Sequence, residues 1–148
     1  MRDGVQLFTA VYVPKGSSHS YPFLIDRTPY SVAPYGADAY KPVLGPSERF
    51  MRDGYIFVYQ DVRGRMMSEG EFVDVRPHVA AKSGPKDIDE STDAYDTIEW
   101  LLKNVPGHNG RVGALGISYP GWLTEMVGMS GHPAVRAVSP QAPMTDTW

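Results

Sequence analysis

Cysteine is absent from the 148 residues. That excludes disulfides, a thiol nucleophile and any cysteine-ligated zinc, and is compatible with export as well as with the cytoplasm. No apolar run approaches the length needed to cross a bilayer, and no secretory leader is visible, so no membrane partner is expected. Charge of one sign is scarce: 14 basic and 17 acidic side chains leave a net −3, without a Lys/Arg cluster. A nucleic-acid partner is therefore not expected. Internal repeats and low-complexity segments are missing too. What remains is an ordinary balance, 42% hydrophobic and 21% charged, in a chain long enough for one domain with a core. It opens directly on the strand-like "MRDGVQLFTAVYVP", so Met1 is read as an internal residue of a longer protein.

The pattern alternates strands and helices. Val5–Val13 alternates apolar and polar residues and reads as a strand, stopped by Pro14-Lys15-Gly16. Pro22–Thr28 reads as a second, buried strand. Residues 31–45 are loop, and Ser47 caps a short helix through Arg52, ended by Gly54. "YIFVYQDV", Tyr55–Val62, is nearly continuous in apolar and aromatic residues, as in a strand covered on both faces. Residues 63–86 are polar and marked by Gly and Pro, a long loop with one short hairpin. Asp87–Asn104 reads as a helix with Ala94, Ile98, Leu101 and Leu102 at helical spacing. "RVGALG" is a strand, Pro120–Met129 a helix, and Val135–Ser139 a last strand. This order predicts an α/β fold: a mostly parallel sheet with helices on its faces and the opening strands as an antiparallel edge.

"GALGISYPGW" holds the clearest chemistry. Ser118 stands at the carboxyl end of a predicted strand and immediately before a helix, between Gly116 and Gly121. A serine in such a corner matches the nucleophile elbow, where strand and helix approach so closely that the neighbours must lack side chains. The second glycine comes one residue later than in the common G-x-S-x-G. An N-capping serine in an ordinary turn is the competing interpretation. As a nucleophile, Ser118 would use the backbone N–H of Tyr119, at the helix N-terminus, to hold an oxyanion. Pro120 suits the first helical turn.

Other candidates have plainer explanations. Asp61 and Arg63, at the end of the strongest strand, are either substrate contacts or an ion pair or turn-building hydrogen bond that fixes the loop; the second is favoured. Asp87, Asp89, Glu90, Asp93 and Asp96 are assigned to helix N-terminal charge and a solvated face, not to a metal. Trp100, Trp122 and Trp148 are assigned to core or rim packing, with Trp122 the one expected to line a substrate pocket. Of the four histidines, His19, His78 and His108 precede Ser118, and His132 is read as structural. Asp146 lies too early for a triad acid.

The segments "MRDGVQL", "RTPYS", "YQDVRGRMMSEGEF", "STDAYDTIEWLLKN" and "GISYPGW" together resemble the cocaine esterase and Xaa-Pro dipeptidyl peptidase group of α/β-hydrolases. Within it the nearest likeness is to α-amino-acid ester hydrolases and glutaryl cephalosporin acylases. The resemblance implies that Ser118 is the nucleophile, with the Tyr119 N–H and the Tyr30 hydroxyl as oxyanion donors. It implies a serine hydrolase of small α-amino-acid esters or β-lactam side-chain amides, with no cofactor and with homo-oligomerisation left open for the full-length protein. An Xaa-Pro dipeptidyl peptidase is the alternative within the family; a non-catalytic truncated domain or docking half is the alternative outside it. The family's acid and histidine belong to later strands. Residues 1–148 are accordingly read as the first part of a catalytic domain, ending before those strands, the cap and a C-terminal β domain.

Overall fold

The β-formers of "TAVY", "YPFLIDRT" and "IFVYQD" build strands β1 (Thr9–Tyr12), β2 (Tyr21–Thr28) and β3 (Ile56–Asp61), with helix α1 (Glu48–Asp53) between the last two. Helix α2 (Glu90–Asn104), strand β4 (His108–Ile117), helix α3 (Tyr119–Met129) and strand β5 (Val135–Gln141) follow. The computed structural model describes residues 1–16 and 19–145; the expectations for Asp146 and Trp148 fall outside the described residues. The five strands form one sheet in the order β1-β3-β2-β4-β5, with β1 antiparallel to β3 and the other pairs parallel. This is the mostly parallel α/β sheet with an antiparallel edge that the strand pattern predicts.

Topology decides where a ligand can sit. From β2 the chain steps to one side, to β3; from β3 through β4 to β5 it steps the other way. Right-handed crossovers then put the β2–β3 connection and α1 on one face of the sheet, and α2 and α3 on the other. β2 and β4 are neighbours whose outgoing connections leave to opposite faces. A crevice opens at their carboxyl ends, the switch point of an open sheet.

On the α2/α3 face, Phe23, Ile25, Ile56, Val58, Ile98 and Leu101 form the main core. Each such side chain contributes about 1.5–3 kcal/mol on burial. A second cluster joins Val62, Tyr119, Trp122, Leu123 and Met126, with Phe72 and Val75 at its margin. It fastens the loop after β3 to α3.

Four expectations need correction. β1 is four residues long, because the chain from Gln6 to Phe8 bonds to the loop after β3: Gln6 N–H donates to the Glu69 carboxylate and Phe8 N–H to Ser68 Oγ. No hairpin forms in residues 63–86; turns closed by Gly64 N–H to Glu69 O and Ser68 N–H to Arg65 O take its place. The acidic start of α2 is not a solvated face. Asp89, Glu90 and Asp93 are buried. Arg63 binds Asp93 through two hydrogen bonds of 2.6 and 2.9 Å and Asp3 at 2.6 Å. Arg27 meets Glu90 at 3.0 Å, without the alignment of a good hydrogen bond. Burial therefore leaves the Glu90 carboxyl above the usual range despite Arg27. Trp100 is 54% exposed, since it lies off the inward stripe formed by Ala94, Ile98 and Leu101.

Candidate active site

Ser118 occupies a backbone conformation that L-residues avoid, φ 63° and ψ −121°. Such strain costs about 1–3 kcal/mol and persists only where surrounding contacts enforce it. Here they are identifiable. The Ser118 N–H donates to Gln141 O at 2.9 Å, and Ser118 O accepts from Trp122 N–H at 3.0 Å, the first bond of α3. A Cβ on Gly116 would overlap the carbonyl group of Pro120, and one on Gly121 would lie 2.6 Å from Gln141 O. Strand and helix thus touch at both glycines, although the second is shifted by one position from the common spacing.

The N-cap alternative fails on geometry. Ser118 stands at the cap position of α3, yet its side chain makes no capping hydrogen bond, and the residue is exposed. Its hydroxyl is available at the crevice. Tyr119 is the first residue of α3, so its N–H is one of the first-turn donors that have no partner within the helix. The helix dipole adds positive potential at that point. The Tyr119 side chain turns inward: its phenol oxygen accepts the Val75 N–H at 2.8 Å, and burial raises its pKa to about 12. It is therefore a protonated structural phenol that fixes the loop after β3 against the elbow.

Tyr30 lies two residues past the end of β2, beside the end of β4. It is 62% exposed, and its ring meets that of Tyr119 edge to face, centroids 6.1 Å apart. The Tyr30 ring is thus brought against the residue that follows Ser118. Trp122 is not on the crevice rim. It is buried in the second apolar cluster and reaches the crevice only through its edge contact with Tyr119, at 5.6 Å.

His78, His108 and His132 are engaged elsewhere. His132 is buried at the far end of α3, an 11-residue helix and so about 16 Å long. It bonds Glu99 at 2.8 Å and accepts the Ala134 N–H, a structural role. His108 starts β4 and bonds Leu102 O, and His78 bonds Ser91 Oγ. Asp61 and Arg63 both fix the loop, Arg63 through its ion pairs and Asp61 through hydrogen bonds to residues 32 and 35. This is the loop-fixing role that the sequence favoured for both residues; only the identity of the partners is added by the structure.

A groove of about 550 Å³ opens on the face away from α2 and α3, between Leu24, Asp26, Tyr59, Leu115 and Ile117 and the segment from Ser31 to Pro46. Asp26 Oδ1 is buried there without a partner among the described residues. Burial raises the Asp26 carboxyl to about 6, against the nearby Lys41.

A family model described as X-Pro dipeptidyl-peptidase (S15 family) matches residues 3–148. The chain is 35% identical over 148 residues to the cocaine esterase of Rhodococcus sp. (strain MB1 Bresler), covering 100% of this chain and 23% of that protein. Among solved structures it is similar to an α-amino acid ester hydrolase, at 39% identity and a TM-score of 0.82. An aminopeptidase from the marine sediment archaeon Thaumarchaeota archaeon also matches, at 39% identity and a TM-score of 0.79. Each match covers 100% of this chain and 25% of the other. The chain spans about a quarter of the length of these relatives.

Proposed function

Because the chain belongs to the X-Pro dipeptidyl-peptidase (S15) family, whose matched relatives are hydrolases, we propose that it is the nucleophile-bearing part of a serine hydrolase. The substrates are carboxylic esters and amides; small α-amino-acid esters are favoured by the similarity to an α-amino acid ester hydrolase, and β-lactam side-chain amides by the motif resemblance to cephalosporin acylases. The single observation that carries this reading is Ser118: a strained, exposed serine that does not cap its helix, held between two glycines that admit no side chain.

In this scheme Ser118 Oγ attacks the carbonyl carbon as its proton passes to a histidine supplied by chain beyond residue 148. The carbonyl oxygen becomes an alkoxide between the Tyr119 N–H and the Tyr30 O–H. Collapse expels the alcohol or amine, which takes the proton, and leaves an acyl group on Ser118. Water, activated by the same histidine, releases the acid. Residues 1–148 then constitute one partial catalytic domain, and no cofactor takes part.

The test is a fluorophosphonate probe on the full-length protein, with peptide mapping of the label. Labelling of Ser118, and loss of at least about four orders of magnitude in turnover in Ser118→Ala, is the expected result. Retained turnover in Ser118→Ala eliminates the proposal. The family description favours one alternative substrate, an Xaa-Pro peptide. Comparing kcat/KM for an Xaa-Pro anilide and an α-amino-acid methyl ester separates the two.

A further inference from the structure

We propose that Asp61 and Arg65, on the turn that ends β3, are positioning residues for Tyr30. This rests on the oxyanion assignment of Tyr30 above. A phenol donor is useful only if its oxygen stays within a few tenths of an ångström of the place where the alkoxide forms. Tyr30 sits on an exposed loop, where such precision is not given by burial. Its neighbour Ser31 has φ 116°, a region unfavourable to a residue with a side chain, so the turn needs external support.

That support is visible, atom by atom. Asp61 is fully buried. Its Oδ1 accepts the Val32 N–H at 2.9 Å, and its Oδ2 accepts the Tyr35 O–H at 2.8 Å. Its main chain is itself fixed: Asp61 N–H donates to Phe8 O, and Asp61 O accepts from Ser68 Oγ at 2.6 Å. From the same turn, Arg65 Nε donates to Pro29 O at 2.9 Å, and its guanidinium lies over the Phe72 ring at 5.0 Å. The Tyr30 N–H donates to Thr28 Oγ1 at 3.0 Å. Tyr30 is thus gripped immediately before, by Arg65 on residue 29, and two residues after, by Asp61 on residue 32. Asp61 touches neither the crevice nor Ser118. It would act only through the loop it holds.

The experiment is a kinetic cycle in the full-length protein on an α-amino-acid ester, using Tyr30→Phe, Asp61→Ala, Arg65→Met and each of the latter two combined with Tyr30→Phe. Asp61→Ala and Arg65→Met are each expected to lower kcat roughly ten- to a hundredfold with little change in KM. The loss should shrink to within about twofold when Tyr30 is already Phe, because no donor is left to misplace. Asp61→Asn should recover most of the rate: its oxygen can take the Val32 N–H, and its NH₂ can donate to the Tyr35 hydroxyl. Equal losses in both backgrounds, or lowered thermal stability with kcat unchanged, overturn the positioning role. If Asp61→Ala does not fold, the half-buried Arg65 carries the same test. A Tyr30→Phe enzyme with unchanged kcat overturns the oxyanion assignment itself, an outcome distinct from additive losses.

Discussion

The two halves of the crevice are held in opposite ways. Around Ser118 the constraint is backbone sterics: two glycines, a proline and one carbonyl from β5 force the conformation, and no side chain contributes. Around Tyr30 the constraint is a set of side chains, Asp61, Arg65 and Thr28, reaching main-chain atoms of the loop. A sterically forced corner tolerates no added atom but needs no partner. A side-chain-clamped loop accepts changes of volume but fails when a donor or acceptor is lost.

Substitutions should separate the two modes. The largest effect is expected at the elbow: Gly116→Ala places a methyl group on the Pro120 carbonyl and should cost about 3 kcal/mol or more, read as a drop in the urea midpoint with unchanged m. Tyr30→Phe should do the reverse. Turnover falls about a hundredfold, roughly 2.7 kcal/mol of transition-state stabilisation, while thermal unfolding is unchanged because the hydroxyl sits on an exposed ring. Asp26, on β2 but facing the groove, tests whether that side of the sheet contributes to stability alone. Burial holds its folded pKa at about 6, above the ordinary range of an aspartate. The folded state therefore binds this proton more tightly than the unfolded chain, so the contribution of Asp26 to stability is full below about pH 4 and is lost as pH rises through 6. Asp26→Asn should flatten that decline and gain about 1–3 kcal/mol at pH 7–8, with turnover unchanged. The smallest effect is the strain at the corner itself. Ser118→Gly should raise stability by about 1 kcal/mol, whereas Ser118→Ala, still a side-chain-bearing residue at positive φ, should not.

This contrast also explains what the sequence disclosed. The elbow is local: Gly116, Ser118, Pro120 and Gly121 lie within six positions, and strand and helix periodicities flank them, so the corner was legible from the residues. The alternation of apolar strands with the α2 and α3 periodicities similarly dictated the parallel sheet. Tyr30 was one tyrosine among nine. Only resemblance singled it out, because its proximity to Tyr119 depends on β2 pairing with β4. The acidic residues at the start of α2 do cap and charge the helix N-terminus, as read, but the solvated face was misread for a related reason: the counter-ions, Arg27 and Arg63, come from the ends of other strands. Residues 5–8 carried a strand signal, but Gln6 and Phe8 donate to the side chains of Glu69 and Ser68, and residues 63–86 carried a hairpin signal but close short local turns instead; no periodicity records either.

The carbonyl of Gln141 has one more consequence, and it concerns time. It accepts the Ser118 N–H and closes over Gly121, so the corner is completed from a strand synthesised after it. A ribosome adding residues in order makes the serine first and the contact that bends it into shape more than twenty residues later. The contact that holds the Ser118 backbone in its strained conformation is therefore missing until β5 has joined the sheet.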